Sequence, residues 1–234
     1  LTGVKMLGIE VSLAESSVQT KTELVGAITE GQHFSGKRSI VDQIRKAIVR
    51  GDTEILEINL RNRDYWWSTR LYLLAALADD HSTIKAFAFV EHGIERKFLG
   101  LCTPTAMRKA IDRACPVLAK VYVDAWHAAD RSQDEPIWAI VHSWTEQPFG
   151  KGQLEPAVVE KVSAQSLEDW LSKVDQRLST DSIEWSGVSD PHLIRQILTE
   201  YSDPYVALIR EGRLDRIVNR SALAIRVAER ALKS

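Results

Sequence analysis

Apolar positions along the chain change period several times, and each change marks an element. Val4 to Leu13 is dense in Val, Ile and Leu and reads as a short strand. Ala14 to Ile28 and Ser39 to Val49 read as helices, the second with Ile40, Ile44, Ala47 and Ile48 on one face. "RGD" breaks that helix, and "TEILEINL" follows as a strand with Ile55, Ile58 and Leu60 among polar neighbours. Asp64 is placed to cap the next helix, Tyr65 to Ala78. Its apolar residues cover nearly the whole circumference, the pattern of a helix buried on all sides.

"TIKAFAFVE" is then a strand, "HGIE" a turn and "KFLGLCT" a second strand. Thr103 caps a helix whose first residue is Pro104, a position where proline has no N–H to lose. Pro116 to Gln147 reads as mainly helical, and "PFGKGQLEP" is the most linker-like stretch. The expected division is therefore 1–148, an N-terminal α/β half with a helical extension, and 149–234, a C-terminal α/β half. Past the linker, "AVVEKVSA" suits a strand, Ser166 to Leu178 a helix, and "SDPHLIRQILTEY" another helix. "PYVALIR" and "RLDRIVN" form two strands about a turn at Glu211 and Gly212, and Ser221 opens the closing helix. The fold class is α/β, with mixed sheets and a helix, strand, strand, helix unit in each half.

The two units align residue by residue. With "FAFVEHGIERKFLGLCTPTAMRKAI" set over "VALIREGRLDRIVNRSALAIRVA", Leu101 matches Ile217, Cys102 matches Val218, Thr103 matches Asn219, Thr105 matches Ser221 and Met107 matches Leu223. This unit resembles the repeat of CBS domains, the paired modules named after cystathionine beta-synthase, in which "dG-x-hh-G-hh-T-x-x-D-h" runs into a helix. "GLCTPTAM" carries the likeness at Gly100 and Thr103, and "RIVNRSAL" carries it more loosely. The resemblance implies a regulatory module that binds an adenine nucleotide between its repeats, with the helix-start Thr or Ser near phosphate and ribose. Ala106 and Ala222 stand where the family has its ribose-binding Asp.

Charge and composition narrow the field. The 30 basic and 32 acidic residues give a net charge of -2, and no Lys/Arg run tracks a phosphate backbone, so nucleic acid is not an expected partner. Two cysteines, Cys102 and Cys115, make no disulfide framework and point to a reducing, cytoplasmic setting. No apolar run approaches the length of about 20 residues that spans a membrane. The opening on Leu1 rather than Met leaves room for a preceding segment, such as a membrane tether. A homo-oligomer or a larger parent protein is the expected context.

Candidate chemistry is sparse. Arg61 and Arg63 in "LRNRDYWW" follow a predicted strand and could meet an anion, while Trp66 and Trp67 read as packing residues rather than base-stacking ones. With Thr103, Asn219 and Ser221, these arginines are the candidate ligand-binding residues of a non-catalytic sensor. The alternative is a nucleotide hydrolase. "EGQHFSGKRS" approaches a phosphate-binding loop at Gly31, Gly36 and Lys37, but Arg38 takes the place of the magnesium-binding hydroxyl and Ser39 comes one residue late. A third reading is a scaffold that uses exposed tryptophans and no small molecule. Cys102 at a helix start could be a nucleophile with His81 or His92 as base, yet its repeat partner is a valine, which favours a core role. His127, Asp130 and His142 lack the spacing of a metal site. No catalytic residue, metal or firm cofactor is expected.

Overall fold

The computed structural model describes the strands at 4–6, 9–11, 17–18 and 20–21 and then residues 54–60, 66–80, 84–92, 96–131, 159–186 and 191–232. Strands β1 (Val4–Met6) and β2 (Ile9–Val11) form a hairpin, and β3 (Ser17–Val18) and β4 (Thr20–Lys21) follow it. The first unit comprises β5 (Ile55–Asn59), α1 (Ser68–Asp80), β6 (Ala86–His92), β7 (Arg96–Cys102) and α2 (Pro104–Ala114). Helices α3 (Pro116–Arg131) and α4 (Ala164–Ser172) come next. The second unit comprises β8 (Ser182–Glu184), α5 (Pro191–Thr199), β9 (Tyr205–Arg210), β10 (Arg213–Asn219) and α6 (Arg220–Ala231).

The order strand, helix, strand, strand, helix thus occurs twice, and the pairings repeat with it. β5 is parallel to β6 and β6 antiparallel to β7; likewise β8 is parallel to β9 and β9 antiparallel to β10. β4 extends the first sheet beyond β5, and β3 extends the second beyond β10. The molecule is an α/β protein of two related halves.

β5, β6 and β9 are buried on both faces, which is why they read as nearly continuous apolar runs, whereas β8 and much of β10 alternate buried and exposed positions. One face of the first sheet (Leu56, Ile58, Phe87, Phe89, Cys102) packs with Leu71, Met107, Ile111, Leu118, Leu167 and Trp170 from the helices. One face of the second (Ile183, Val206, Leu208, Val218) packs with Leu193, Ile194, Ile197 and Leu223. The remaining faces meet each other, with Ile55, Ala86, Ala88, Val90 and Leu101 against Tyr205, Ala207, Leu214 and Ile217. The layers run helices, sheet, sheet, helices. Burying one such aliphatic side chain contributes about 1.5–3 kcal/mol, so the sheet-on-sheet seam is a main source of cohesion between the halves.

Residues 159–178, which follow the expected boundary, pack in the core of the first unit. Val159, Val162, Leu167, Trp170, Leu171 and Leu178 belong to its cluster. The Ser68 N–H donates to the Glu160 carbonyl at 2.8 Å, and the Val162 N–H to the Trp66 carbonyl at 3.0 Å. The linker-like "PFGKGQLEP" itself lies outside the described residues.

Three local expectations change. The helix expected from Ala14 contains β3 and β4 instead, because Ser17, Val18 and Thr20 suit extended backbone and the ladders of β10 and β5 supply their hydrogen bonds. "AVVEKVSA" is no strand in its described part. Lys161 makes one isolated bridge to Trp67, and Ser163 caps α4 by a reciprocal pair of bonds with Ser166. That helix also ends early, at Ser172, because Asp175 takes a left-handed backbone (φ 54°) that a helix interior excludes. Among the described residues no helix is long and apolar enough to cross a membrane.

Candidate functional site

A cleft of about 790 Å³ opens where the two sheets meet, beside the first turn of α2. Its position follows from the chain path. After the turn at Asp175 the backbone runs along the edge of β7, where the Ser179 N–H donates to the Leu101 carbonyl at 2.7 Å and the Leu101 N–H to the Ser179 carbonyl at 2.8 Å. Gly100 permits this approach. A Cβ there would lie 2.8 Å from the Leu178 Cβ and 3.0 Å from the Ser179 carbonyl, and its φ of +150° strains any other residue.

The register assigns the cleft two walls that are counterparts in the repeat. β6 and β7 pair Phe87 with Cys102, so the next rung sets Ala86 against Thr103. β9 and β10 pair Tyr205 with Asn219 at the matching rung. Glu57 pairs with Ala88 and Ser182 with Ala207, so three residues earlier Glu54 and Ser179 correspond. One wall is therefore Ala86, Thr103 and Ser179; the other is Tyr205, Asn219 and Glu54. All six line the cleft.

The walls differ in what they leave open. On the second, the Tyr205 hydroxyl and the Asn219 side-chain amide both donate to the Glu54 Oε2, at 3.3 and 3.2 Å. Burial, the Glu54 charge and this hydrogen bond push the Tyr205 phenol well above its ordinary value. Asn219 also caps α6, its Oδ1 accepting from the Ala222 N–H at 3.1 Å. Arg220 braces the same wall from behind, donating to the Ile197, Leu198 and Asp203 carbonyls at 2.8, 2.9 and 3.0 Å. Each of these side chains is bonded to a neighbour within the wall.

On the first wall Thr103 caps α2, its Oγ1 accepting from the Ala106 N–H at 3.1 Å, and the residue stays exposed. Its hydroxyl proton remains available to a ligand. The Ser179 hydroxyl oxygen is buried with no hydrogen-bond partner among the described residues, an arrangement proteins seldom leave unsatisfied. Lys85, next to Ala86, and Arg177, two residues before Ser179, give this wall two exposed cations against the one carboxylate of Asp175. The second wall carries Glu54 and Asp203 and no cation among the lining residues.

Thr103 and Asn219 are therefore brought to one cleft, Thr103 exposed in it and Asn219 half-buried. Ser221 is exposed on α6 and does not line the cleft. Arg61 and Arg63 lie outside the described residues, as do Gly31, Gly36 and Lys37. Trp66 is buried and Trp67 half-buried, and Trp170 and Trp185 are buried too, so none of these four offers an exposed aromatic surface. Cys102 is buried in the first core, and burial pushes its thiol well above the ordinary range, against a role as nucleophile.

Sequence reasoning missed Lys85, Arg177 and Ser179. Arg177 lay inside a predicted helix that stops short of it, and Ser179 has no motif. The signal that could have found them is the repeat itself, carried back from Asn219 and Tyr205 to the residues that face them.

No protein-family model matches the chain, and no curated protein or solved structure matches it either.

Proposed function

We propose that this chain is a diverged tandem pair of CBS-type units acting as a non-catalytic sensor, which holds a small anionic ligand at the Thr103 wall and signals through oligomer or domain contacts. An adenine nucleotide is the first ligand to test. The observation that carries the reading is the cleft of about 790 Å³ between the two sheets, whose lining includes the exposed helix cap Thr103 and the exposed cations Lys85 and Arg177. The repeated strand, helix, strand, strand, helix order supports the CBS-type assignment. Ala106, in place of the family's Asp, removes the carboxylate that would hold a ribose, so recognition rests on the cations and hydroxyls. The reducing, cytoplasmic setting accords with Cys102 and Cys115, both buried as free thiols.

Thermal-shift measurements with AMP, ATP, cyclic nucleotides and S-adenosylmethionine, with and without magnesium, test this reading. A ligand that binds only the folded state raises the melting midpoint by mass action. The expected result is a rise with AMP or ATP in the absence of magnesium, reduced in Thr103→Ala and Arg177→Glu. Magnesium-dependent nucleotide turnover that is lost in Lys37→Ala would overturn it in favour of the hydrolase. No rise with any of these compounds would leave the scaffold reading.

A further inference from the structure

The two helix starts beside the cleft are tied down by different chemistry. α6 opens on Arg220, whose guanidinium donates to the Ile197 and Leu198 carbonyls near the end of α5, where a cation meets the negative end of the helix dipole. α2 opens on the counterpart Pro104, which has no such group. Its tie is made instead by Asp79, in the last turn of α1. The Thr105 hydroxyl donates to the Asp79 Oδ1, and Arg108 pairs with the Oδ2 at 3.2 Å. A carboxylate is unfavourable at a helix C-terminus, and α1 has no basic residue in its last turn to offset it. Position 79 therefore breaks a local rule, and the groups that compensate lie on another helix. Arg108 also lies over the Tyr122 ring of α3, 5.7 Å from its centroid, so the tie is flanked by α1 and α3.

We infer that Asp79 is a positioning residue for the cleft: it latches the first turn of α2 onto the end of α1, and through that turn it sets the places of Thr103 and Ala106. Both of these line the cleft, Thr105 stands between them in the chain, and Asp79 does not line it. The Ala106 N–H donates to the Thr103 Oγ1 at 3.1 Å and the Met107 N–H to the Thr103 carbonyl at 3.0 Å, so a shift of this turn carries the cap with it. The Asp79 and Arg108 side chains are each 24% exposed, and a pair so near the surface adds little to overall stability. The latch can therefore be opened without unfolding the protein. The Arg220 tie ends on backbone carbonyls, which no side-chain change on α5 removes. That the latch governs ligand affinity rests on the sensor reading; that it orders the helix start does not.

The test takes the full chain as wild type, Asp79→Ala, Asp79→Asn and Arg220→Gln, and measures residue-resolved amide hydrogen exchange without ligand and calorimetric titration with AMP. Asp79→Ala is expected to speed exchange of the Ala106 and Met107 N–H groups at least about tenfold, with the Ala222 N–H of α6 within about twofold of wild type. Arg220→Gln should give the reverse pattern. Asp79→Asn, which can still accept from Thr105 and loses the charge that pairs with Arg108, should fall between. The AMP dissociation constant should rise at least about fivefold in Asp79→Ala, while the melting midpoint stays within about 3 °C of wild type. Equal acceleration in α2 and α6, or none in either, would overturn the inference, because a bond that merely adds stability moves both alike. So would an AMP affinity that is the same in wild type and Asp79→Ala. If AMP binds none of the four proteins, the sensor reading falls, and the exchange contrast alone decides the latch.

Discussion

At the rung where Tyr205 faces Asn219 the cleft wall is held shut by its own hydrogen bonds, and at the matching rung where Ala86 faces Thr103 it is not. The backbone is the same in both places: a strand pair, an N-cap and a helix start, with Thr103 accepting from Ala106 and Asn219 accepting from Ala222 at 3.1 Å each. What differs is which side chains project from that frame. The repeated unit supplies the sheets and the seam between them, and a few side-chain differences decide which end of the cleft is closed by its own hydrogen bonds. Ala86, Thr103 and Ser179 are smaller side chains than their counterparts Tyr205, Asn219 and Glu54, and no bond among their side chains ties that end of the cleft together.

The comparison breaks most visibly at Tyr205. Tyr205→Ala should destabilise the protein by about 3–5 kcal/mol in urea unfolding, as for other buried aromatics, whereas the counterpart change Ala86→Gly should cost about 1 kcal/mol or less. The phenol also gives a pH signature. Its folded-state pKa is raised, so its contribution is complete below the unfolded value of about 10 and is lost as pH rises beyond it. Stability measured from pH 9 upward should therefore fall more steeply for wild type than for Tyr205→Phe, and parallel curves would contradict the assignment.

Next in size is Gly100. Gly100→Ala places a Cβ 2.8 Å from the Leu178 Cβ at a strained φ and should cost about 2–3 kcal/mol. Because the displaced chain carries Arg177 and Ser179, ligand response should fall with it. Gly212→Ala, where nothing lies within 4 Å of the added atom, should cost only about 1 kcal/mol and leave that response intact.

The two caps give a smaller contrast. Thr103→Ala should lose about 1 kcal/mol, the usual worth of an N-cap. Asn219→Ala should lose about 2 kcal/mol, since Glu54 forfeits a donor as well. Equal losses would mean that the Glu54 bond contributes nothing. Smallest of all, Cys102→Val reproduces the residue at its counterpart, Val218, and should change stability by less than about 1 kcal/mol; a thiol-reactive probe should label native Cys102 only on unfolding.

Much of this frame is legible in the sequence. The two hairpins, the Thr103 cap, the buried α1 and the residue-by-residue echo of Leu101 to Met107 in Ile217 to Leu223 all follow from period and capping chemistry. The cleft was legible only at Thr103 and Asn219, because caps have a sequence signature and walls do not. Arg177 and Ser179 reach the site through a left-handed turn at Asp175, a residue type that tolerates that conformation without announcing it. Lys85 reads as an ordinary charged residue before a strand. Nor does any local pattern say that Glu54 bonds Tyr205 and Asn219 across more than half the chain. That pairing depends on how the two sheets face each other, which no window of sequence contains.

The most direct test of the difference between the walls is calorimetric titration of the full chain with AMP, repeated in Thr103→Ala and Asn219→Ala. The account predicts one site per chain, with the dissociation constant raised at least about tenfold in Thr103→Ala, a loss near 1.4 kcal/mol, and little changed in Asn219→Ala. Two sites per chain, or equal weakening by the two substitutions, would contradict it.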